Sequence, residues 1–156
     1  AKFNGCPDSD EDGLADPKDK CPNLKGPASN AGCPEIDAAD KLVLDKAMRN
    51  VKFRTGSAEL LPSSRKDLDQ IAEIMSRYKG YKLSIDGYTD NAGSEAVNQS
   101  LSESRAKACY DYLSSIGVRL SQMKYAGHGS TDPIGDNKTE AGRLQNRRVT
   151  FTLIPQ

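Results

Sequence analysis

The chain has 156 residues, of which 36% are apolar and 28% charged, and its formal net charge is zero. A chain of this length can fold into one domain with a hydrophobic core and carry one small additional segment. The balanced charge gives no reason to expect nucleic acid or a membrane surface as the main partner. No segment approaches the ~18 consecutive apolar residues of a membrane-spanning helix.

The charges are unevenly distributed along the chain. Residues 1–40 contain nine Asp or Glu and four Lys, a net charge of −5, so the remainder carries +5. The acidic stretch therefore predicts binding of a cation, and the basic remainder would suit an acidic polymer.

Three of the four cysteines lie in the first 33 residues, among Gly, Pro, Asp and Asn residues that could not build a core around them. This composition is typical of a disulfide-stabilised extracytoplasmic module. A sequence that opens without a signal peptide is either cytoplasmic or has lost a leader and an upstream domain. The cysteines favour the second alternative.

A weak repeat with a period of 27 residues relates these cysteines. A Gly-Cys-Pro motif at residues 5–7 returns at residues 32–34, and a Cys-Pro-Asn motif lies between them at residues 21–23. If each unit holds one motif of each kind, Cys21 and Cys33 belong together and Cys6 closes a preceding unit. This phasing predicts a Cys21–Cys33 disulfide and an unpaired Cys6. The sequence leaves Cys6–Cys21 open as the rival pairing.

The segment from residue 8 to residue 19 has the spacing of a calcium-binding loop, with Gly13 at its bend. Five carboxylates recur along it: Asp8, Asp10, Asp12, Asp16 and Asp19. Because Ca²⁺ takes about six to eight oxygen ligands around a tight turn, we predict that these residues bind it. The spacing resembles an EF-hand loop, but Asp19 stands where that loop has Glu, and no apolar-periodic helices flank it. A solvated linker that binds nothing is the alternative, and the cysteines lack zinc-site spacing.

From residue 37 onward, apolar residues follow the periods of helices and strands. Helices are predicted at residues 37–49, from Pro62 onward, at roughly 95–116 and at 139–146. Strands are predicted at residues 50–53, 81–86, 123–126 and 149–153. Strands that alternate with helices indicate an α/β sandwich, a small mixed β-sheet covered by helices.

A carboxylate and a guanidinium fall where a predicted strand gives way to a helix. Asp90 lies in the turn after the strand, and Arg105 lies on the following helix, where Asn98, Ser102 and Arg105 share one stripe. Such a pair can hold both ends of a zwitterionic amino acid at once. From spacing alone, an ion pair that only ties the turn to the helix is an equal alternative.

This stretch resembles the peptidoglycan-binding signature of OmpA-like C-terminal domains. The resemblance runs from about Val51 to Leu153 and includes the late segment 146–149. It implies a β-α-β-α-β arrangement in which Arg105 binds the α-carboxylate of diaminopimelate and Asp90 accepts hydrogen bonds from its α-ammonium. It also implies further ligand contacts from Thr89, Asn91, Asn98, Arg148 and Asn137. The acidic loop, in turn, resembles a thrombospondin type 3 repeat, a form found before OmpA-like domains.

Three further residues bear on the chemistry. Many relatives carry His ahead of the Thr-Asp pair, whereas this chain has Tyr88, which can still hydrogen-bond and pack. The single histidine, His128, lies in a glycine turn with no nucleophile at a recognisable motif, so a structural role is expected. Cys109 lies on an apolar helical stripe and is predicted to be a buried free thiol.

The resemblance implies two domains, an acidic repeat at residues 1–36 and an OmpA-like domain at residues 37–156. The expected function is non-enzymatic: binding of peptidoglycan on the periplasmic side of the outer membrane, with an upstream membrane-embedded domain outside this chain. A calcium-dependent spacer or adhesion module is one alternative. An enzyme that cleaves the cell wall with Asp86 and Asp90 is another, but two carboxylates four residues apart across a turn do not face each other reliably.

Overall fold

The computed structural model describes residues 4–155. Within residues 4–37 the regular structure is limited to two short 3₁₀ turns, Asp16–Lys18 and Ala28–Asn30. The remainder forms helices and strands in the order α1 Ala38–Asn50, α2 Ser64–Arg77, β1 Tyr81–Tyr88, α3 Glu95–Ser115, β2 Met123–Gly127, α4 Glu140–Asn146 and β3 Arg148–Pro155. The predicted α/β class and the β-α-β-α-β order are confirmed.

The three strands form one mixed sheet in the order β2-β1-β3. β1 pairs in parallel with β2 and antiparallel with β3, so Ile85 lies between Tyr125 and Phe151. The central strand carries Leu83 and Ile85, both fully buried. β1 is the central strand, so its N-terminal and C-terminal ends lie on opposite sides of the molecule.

Helices α1, α2 and α3 enclose the hydrophobic core against the sheet. α3 packs on β1 and β2, while α1 packs on β3 and on α2. Each helix contributes the residues that its 3.6-residue period places on one face. The principal members of the core are Leu44, Ala47, Leu68, Ile71, Ile74, Met75, Leu83, Ile85, Cys109, Leu113, Val149 and Phe151.

Helix α3 approaches the ends of β1 and β2 very closely because two glycines stand there. Gly87 and Gly127 pair across the two strands. A Cβ on Gly87 would clash with the backbone carbonyl of Ser102, and a Cβ on Gly127 would clash with the backbone of Glu103. This contact fixes the middle of α3 beside the turn that follows β1.

The N-terminal segment is attached to the opposite end of β1. Cys21 and Cys33 form a disulfide, which confirms the predicted pairing, while Cys6 is a free, exposed thiol. The disulfide packs with Tyr81 in a small buried cluster, and the Tyr81 hydroxyl donates a hydrogen bond to the Pro34 carbonyl at 2.7 Å. The division into domains at residue 36 stays a prediction.

Several local expectations were wrong. Residues 50–53 do not form a strand: α1 continues to Asn50, and Phe53 makes only an isolated bridge with Leu60. α2 begins at Ser64, not at Pro62. The helical period also predicted Val97 on the apolar face of α3, but Val97 is 62% exposed. Among the described residues, no helix combines the length and apolar character needed to cross a membrane.

Candidate functional site: a charged cleft at the end of strand β1

The turn after β1 is held by hydrogen bonds that fix the position of Asp90. The Thr89 backbone N–H donates to the Gly129 carbonyl at 2.8 Å, and the Thr89 hydroxyl donates to the Asp90 carbonyl at 2.8 Å. The Asn98 side chain donates to the same carbonyl at 3.4 Å, and the Ala92 backbone N–H donates to Asp90 Oδ1 at 2.9 Å. Thr89 and Asn98 therefore act on the turn, and Asp90 is buried with its carboxylate held in place.

Arg105 lies on α3 and is 8% exposed. Within residues 4–155 its guanidinium makes one hydrogen bond, from Nε to the Ser57 carbonyl at 2.9 Å, and the guanidinium carbon lies 5.2 Å from the centre of the Phe53 ring. It forms no ion pair with a described carboxylate. Burial lowers the pKa of Arg105, and nearby Arg147 lowers it further, while Asp90 acts in the opposite direction. Arg105 is a desolvated cation whose Nη atoms make no hydrogen bond to residues 4–155.

Arg147 is the residue that pairs with Asp90. Its Nη1 lies 2.6 Å from Asp90 Oδ2, and its Nη2 lies 2.7 Å from Glu140 Oε1. These two carboxylates raise the pKa of Arg147, with the bond to Glu140 the larger cause and the bond to Asp90 the second. The ion pair between Asp90 and Arg105 that spacing alone left open is not formed. Sequence reasoning missed Arg147, although the adjacent pair Arg147–Arg148 was the signal that pointed to this segment.

Arg148, the neighbour that the resemblance indicated, is buried beside the aromatic ring of Tyr88. Its guanidinium carbon lies 4.0 Å from the ring centre, and Nη2 donates to the Asp132 carbonyl at 3.0 Å. Burial lowers the pKa of Arg148. Tyr88 also stacks on His128 at 5.0 Å. The Tyr88 ring thus supports the Arg148 guanidinium through a cation–π contact.

Asp90, Arg105, Arg147 and Arg148 line a cleft of about 530 Å³. Its charged members are two acids and four bases: Asp90, Glu140, Lys52, Arg105, Arg147 and Arg148. Phe53, Thr55, Gly56 and Leu144 supply most of the remaining lining. Arg147 binds both acids, and Arg148 forms an ion pair with Asp132 at 3.8 Å. Lys52 and Arg105 are therefore the two cleft cations that form no direct ion pair with residues 4–155.

Four of the residues proposed from the resemblance do not line the cleft: Thr89 and Asn98 hold the turn at Asp90, and Asn91 and Asn137 lie elsewhere. Asn137 does not line the cleft; its side-chain oxygen accepts a hydrogen bond from Asn146 at 2.7 Å, and its carbonyl accepts one from Arg143 at 3.0 Å. These bonds hold the loop before α4. Asn91 is exposed in the turn and does not line the cleft. Ligand contacts by these four residues stay predictions.

The residues considered for hydrolysis do not share the cleft. The Asp86 carboxylate accepts a hydrogen bond from the Ser84 hydroxyl at 2.7 Å, and its other oxygen lies 2.7 Å from His128 Nε2. Asp86 is not among the cleft residues. His128 is thus engaged by Asp86 and by the Tyr88 ring. Cys109 is completely buried, and burial raises the pKa of its thiol.

In the acidic loop, Asp8, Asp10 and Asp12 each present a carboxylate oxygen within 4.8 Å of the other two. The Asp12 backbone N–H donates to Asp8 and to Asp10, which folds the loop around them. Asp16 lies apart from this set: both of its carboxylate oxygens accept hydrogen bonds from Ser9. Asp19 is buried and accepts from the Cys21 N–H at 2.7 Å.

Two oxygens in this loop have no hydrogen-bond partner among the described residues although they are buried, Asp10 Oδ2 and Asp19 Oδ2. Burial raises the pKa of Asp10, and the charges of Asp12, Asp19 and Asp8 add to that rise. Buried carboxylate oxygens are costly unless a donor or a cation satisfies them. A hard cation that prefers oxygen ligands would do so.

The sheet and the cleft at the end of its central strand define a known class of fold. The same fold occurs in the solved structure of the peptidoglycan-associated lipoprotein from Burkholderia pseudomallei, with a TM-score of 0.61 and 28% identity over 67% of this chain and 87% of that one. The sequence profile of the OmpA family matches residues 52–147. The chain therefore belongs to the OmpA family.

Among curated relatives, outer membrane porin F of Pseudomonas aeruginosa is 37% identical over 149 residues, which cover 92% of this chain. The peptidoglycan-binding protein ArfA of Mycobacterium tuberculosis is 36% identical over 128 residues, or 82% of this chain. The match spans 41% of porin F and 38% of ArfA, so this chain corresponds to less than half of either relative.

Proposed function

We propose that this chain is a non-enzymatic module that binds peptidoglycan and anchors an envelope protein to the cell wall. The proposal is supported by membership of the OmpA family and by similarity to proteins named for peptidoglycan binding or association. The similarity to porin F suggests a place on the periplasmic side of the outer membrane, attached to a membrane-embedded region outside this chain.

The ligand group that fits the cleft best is the free amino-acid end of diaminopimelate in a stem peptide. The observation that carries this assignment is Arg105, a buried guanidinium whose Nη atoms make no hydrogen bond to residues 4–155. A ligand carboxylate would supply the missing counter-charge in a two-point contact. Asp90 would accept hydrogen bonds from the ligand ammonium, because each carboxylate oxygen can accept a second bond beside those from Ala92 and Arg147.

The assignment explains why both charges are needed together. Desolvating a ligand carboxylate or ammonium is costly unless each finds a partner. A simple amine or a simple acid would satisfy only one end of the site. A zwitterionic amino-acid end satisfies both, so it should bind more tightly than either.

A second proposed function is calcium binding by the acidic loop, as in a thrombospondin type 3 repeat. It is supported by the three clustered carboxylates of Asp8, Asp10 and Asp12 and by the unpartnered buried oxygens of Asp10 and Asp19. Asp8, Asp10 and Asp12 would supply the central ligands. Asp16 would have to exchange its bonds with Ser9 to join them, and Asp19 would contribute its free oxygen.

The two proposals and the enzyme alternative are separated by one experiment. The purified chain is incubated with insoluble peptidoglycan, with calcium or with a chelator, and both the pellet and the soluble muropeptides are analysed. We expect retention on the pellet in both conditions and no release of muropeptides. Release would instead indicate a hydrolase. Retention only with calcium would favour the calcium-dependent adhesion module.

A further inference from the structure

A second groove of about 420 Å³ opens beside the charged cleft. The two share Lys52, Leu144 and Arg148 in their linings, so they are continuous. The groove is otherwise lined by Met48, Arg49, Ile134 and Gln145. Ile134 and Leu144 are 55% and 50% exposed, which is unusual for two large apolar side chains on one concave surface.

The charges of the groove are one-sided. Arg49, Lys52 and Arg148 line it, and no acidic residue among those described does. Within residues 4–155 the Lys52 ammonium forms no ion pair. Burial lowers the pKa of Lys52, and Arg147 lowers it further. Lys52 is thus a second partly desolvated cation, besides Arg105, for which the protein provides no direct counter-charge.

The zwitterionic end of one diamino acid cannot satisfy both cations. It has one carboxylate, which the proposed function assigns to Arg105, and one ammonium, which is assigned to Asp90. A second carboxylate is therefore needed to pair with Lys52. Because Lys52 lines both the cleft and the groove, that carboxylate would lie next to the apolar side chains of Met48, Ile134 and Leu144. A small apolar residue with a free carboxylate has this chemistry.

We infer that the groove binds the alanine that follows the diamino acid in an uncross-linked stem peptide. The terminal carboxylate of this alanine would pair with Lys52, and its methyl group would contact the apolar floor of the groove, formed by Met48, Ile134 and Leu144. This inference rests on the proposed function and extends it to a preference for stem peptides with a free C-terminal alanine. A glycan strand suits the groove less well, because a neutral, hydroxyl-rich ligand would leave both the cations and the apolar floor unmatched.

The test is calorimetric titration with three ligands: free diaminopimelate, the tetrapeptide alanyl-γ-glutamyl-diaminopimelyl-alanine, and the same tetrapeptide ending in an amide. The chain itself should bind the acid roughly five- to tenfold more tightly than the amide, the range expected for one charge-assisted hydrogen bond at a half-buried site. In Lys52→Met, which keeps the aliphatic stem and removes the ammonium, the ratio should fall to about one. Lys46→Met, a change at an exposed position on α1, serves as the matched control and should keep the ratio.

Ile134→Ser provides a second variant on an exposed loop, and it should weaken tetrapeptide binding more than diaminopimelate binding. Equal affinity of the parent chain for acid and amide would overturn the inference. So would a Lys52→Met variant that weakens both tetrapeptides equally, because Lys52 would then contact a different carboxylate. Failure of the proposed function has another signature: the parent chain would bind neither diaminopimelate nor peptidoglycan.

Discussion

The carboxylate of Asp90 is bound by Arg147, at 2.6 Å, and not by Arg105, which shares the same cleft. The two arginines consequently have different roles in the absence of a ligand. Arg147 is neutralised by Asp90 and Glu140, whereas Arg105 is buried with a single hydrogen bond to a backbone carbonyl. Replacing either Asp90 or Arg105 should therefore weaken ligand binding, but only the replacement of Asp90 should also lower the stability of the fold.

Arg105→Met should abolish binding of diaminopimelate and leave the melting temperature unchanged or slightly higher. The buried charge carries a desolvation cost that no carboxylate within residues 4–155 offsets through an ion pair, so its removal does not destabilise the fold. The loss in affinity should be about 2–5 kcal/mol, roughly thirtyfold to several thousandfold. Calorimetry and thermal melting on the same sample, with the exposed Arg65→Met as control, measure both effects. A variant that unfolds would show that Arg105 serves the scaffold.

Asp90→Asn should lose ligand binding and also lower the melting temperature. The ligand ammonium loses its counter-charge, and among the described residues Arg147 keeps the exposed Glu140 as its one anionic partner. Removing one member of a buried, hydrogen-bonded charge pair is destabilising because the other member remains desolvated. A melting temperature equal to that of the parent chain would mean that the pair with Arg147 contributes nothing to stability.

Calcium should raise the melting temperature without changing the affinity for diaminopimelate. A ligand present at about 100 times its Kd stabilises the state that binds it by roughly 2.7 kcal/mol. The disulfide and the cleft lie at opposite ends of the eight-residue strand β1, roughly 23 Å apart at about 3.3 Å per residue. The acidic loop is tied to the disulfide segment, because the Cys21 N–H donates to Asp19 and the Gly26 N–H donates to Asp12. We therefore expect no direct effect of its calcium on the cleft.

The calcium effect should disappear in Asp10→Asn and persist in Asp45→Asn, which alters an exposed carboxylate on α1. Scanning calorimetry with calcium, magnesium and a chelator provides the measurement. A melting temperature that is insensitive to calcium in the parent chain contradicts the calcium proposal and leaves the peptidoglycan proposal untouched.

Replacing Cys21 and Cys33 together by Ser should destabilise the protein by about 3 kcal/mol at most, the loop-entropy value for a separation of 12 residues. For a protein of this size the melting temperature would fall by roughly 6–12 °C. Cys6→Ser, which alters an exposed free thiol, should have no effect and serves as the control. Mass spectrometry without reductant should find a peptide that contains Cys21 linked to one that contains Cys33. A Cys6–Cys21 linkage would contradict the structure.

Asp40 should make stability depend on pH in acid. The Arg77 guanidinium donates two hydrogen bonds to its carboxylate and the Tyr78 hydroxyl a third, and these bonds lower the pKa of Asp40 below 3.8, with Arg77 the larger cause. A lowered folded-state pKa means that this stabilisation is complete above about pH 4 and is lost as the pH falls through the folded value. Asp40→Asn should lower the melting temperature at pH 7 by roughly 2–8 °C. The difference in melting temperature between this variant and the parent chain should shrink as the pH falls through the folded-state pKa of Asp40. A difference that stays constant down to pH 2 would argue against this role of Asp40.

Local pattern determined much of this protein from its sequence. Apolar residues spaced with periods of 3.6 and 2 residues predicted helices α1 to α4 and the three strands. The prediction succeeds because the spacing of the apolar residues determines which face of an element is buried. Asn98, Ser102, Arg105 and Cys109 are buried on one side of α3, as their spacing predicted. The repeat of the Gly-Cys-Pro motif likewise predicted the Cys21–Cys33 disulfide.

The partners of the charged side chains were decided by the tertiary structure alone. Arg147 reaches Asp90 across 57 residues, and Arg105 reaches the Ser57 carbonyl across 48. Neither contact follows from spacing along a helix or strand, and the sequence favoured Arg148 where Arg147 makes the ion pair. The position of Lys52 between a cleft and a groove arises because α1, α4 and the start of β3 meet there. The way these elements come together depends on how the chain packs around β1. Whether a segment forms a helix or a strand depends instead on residues that are close in sequence.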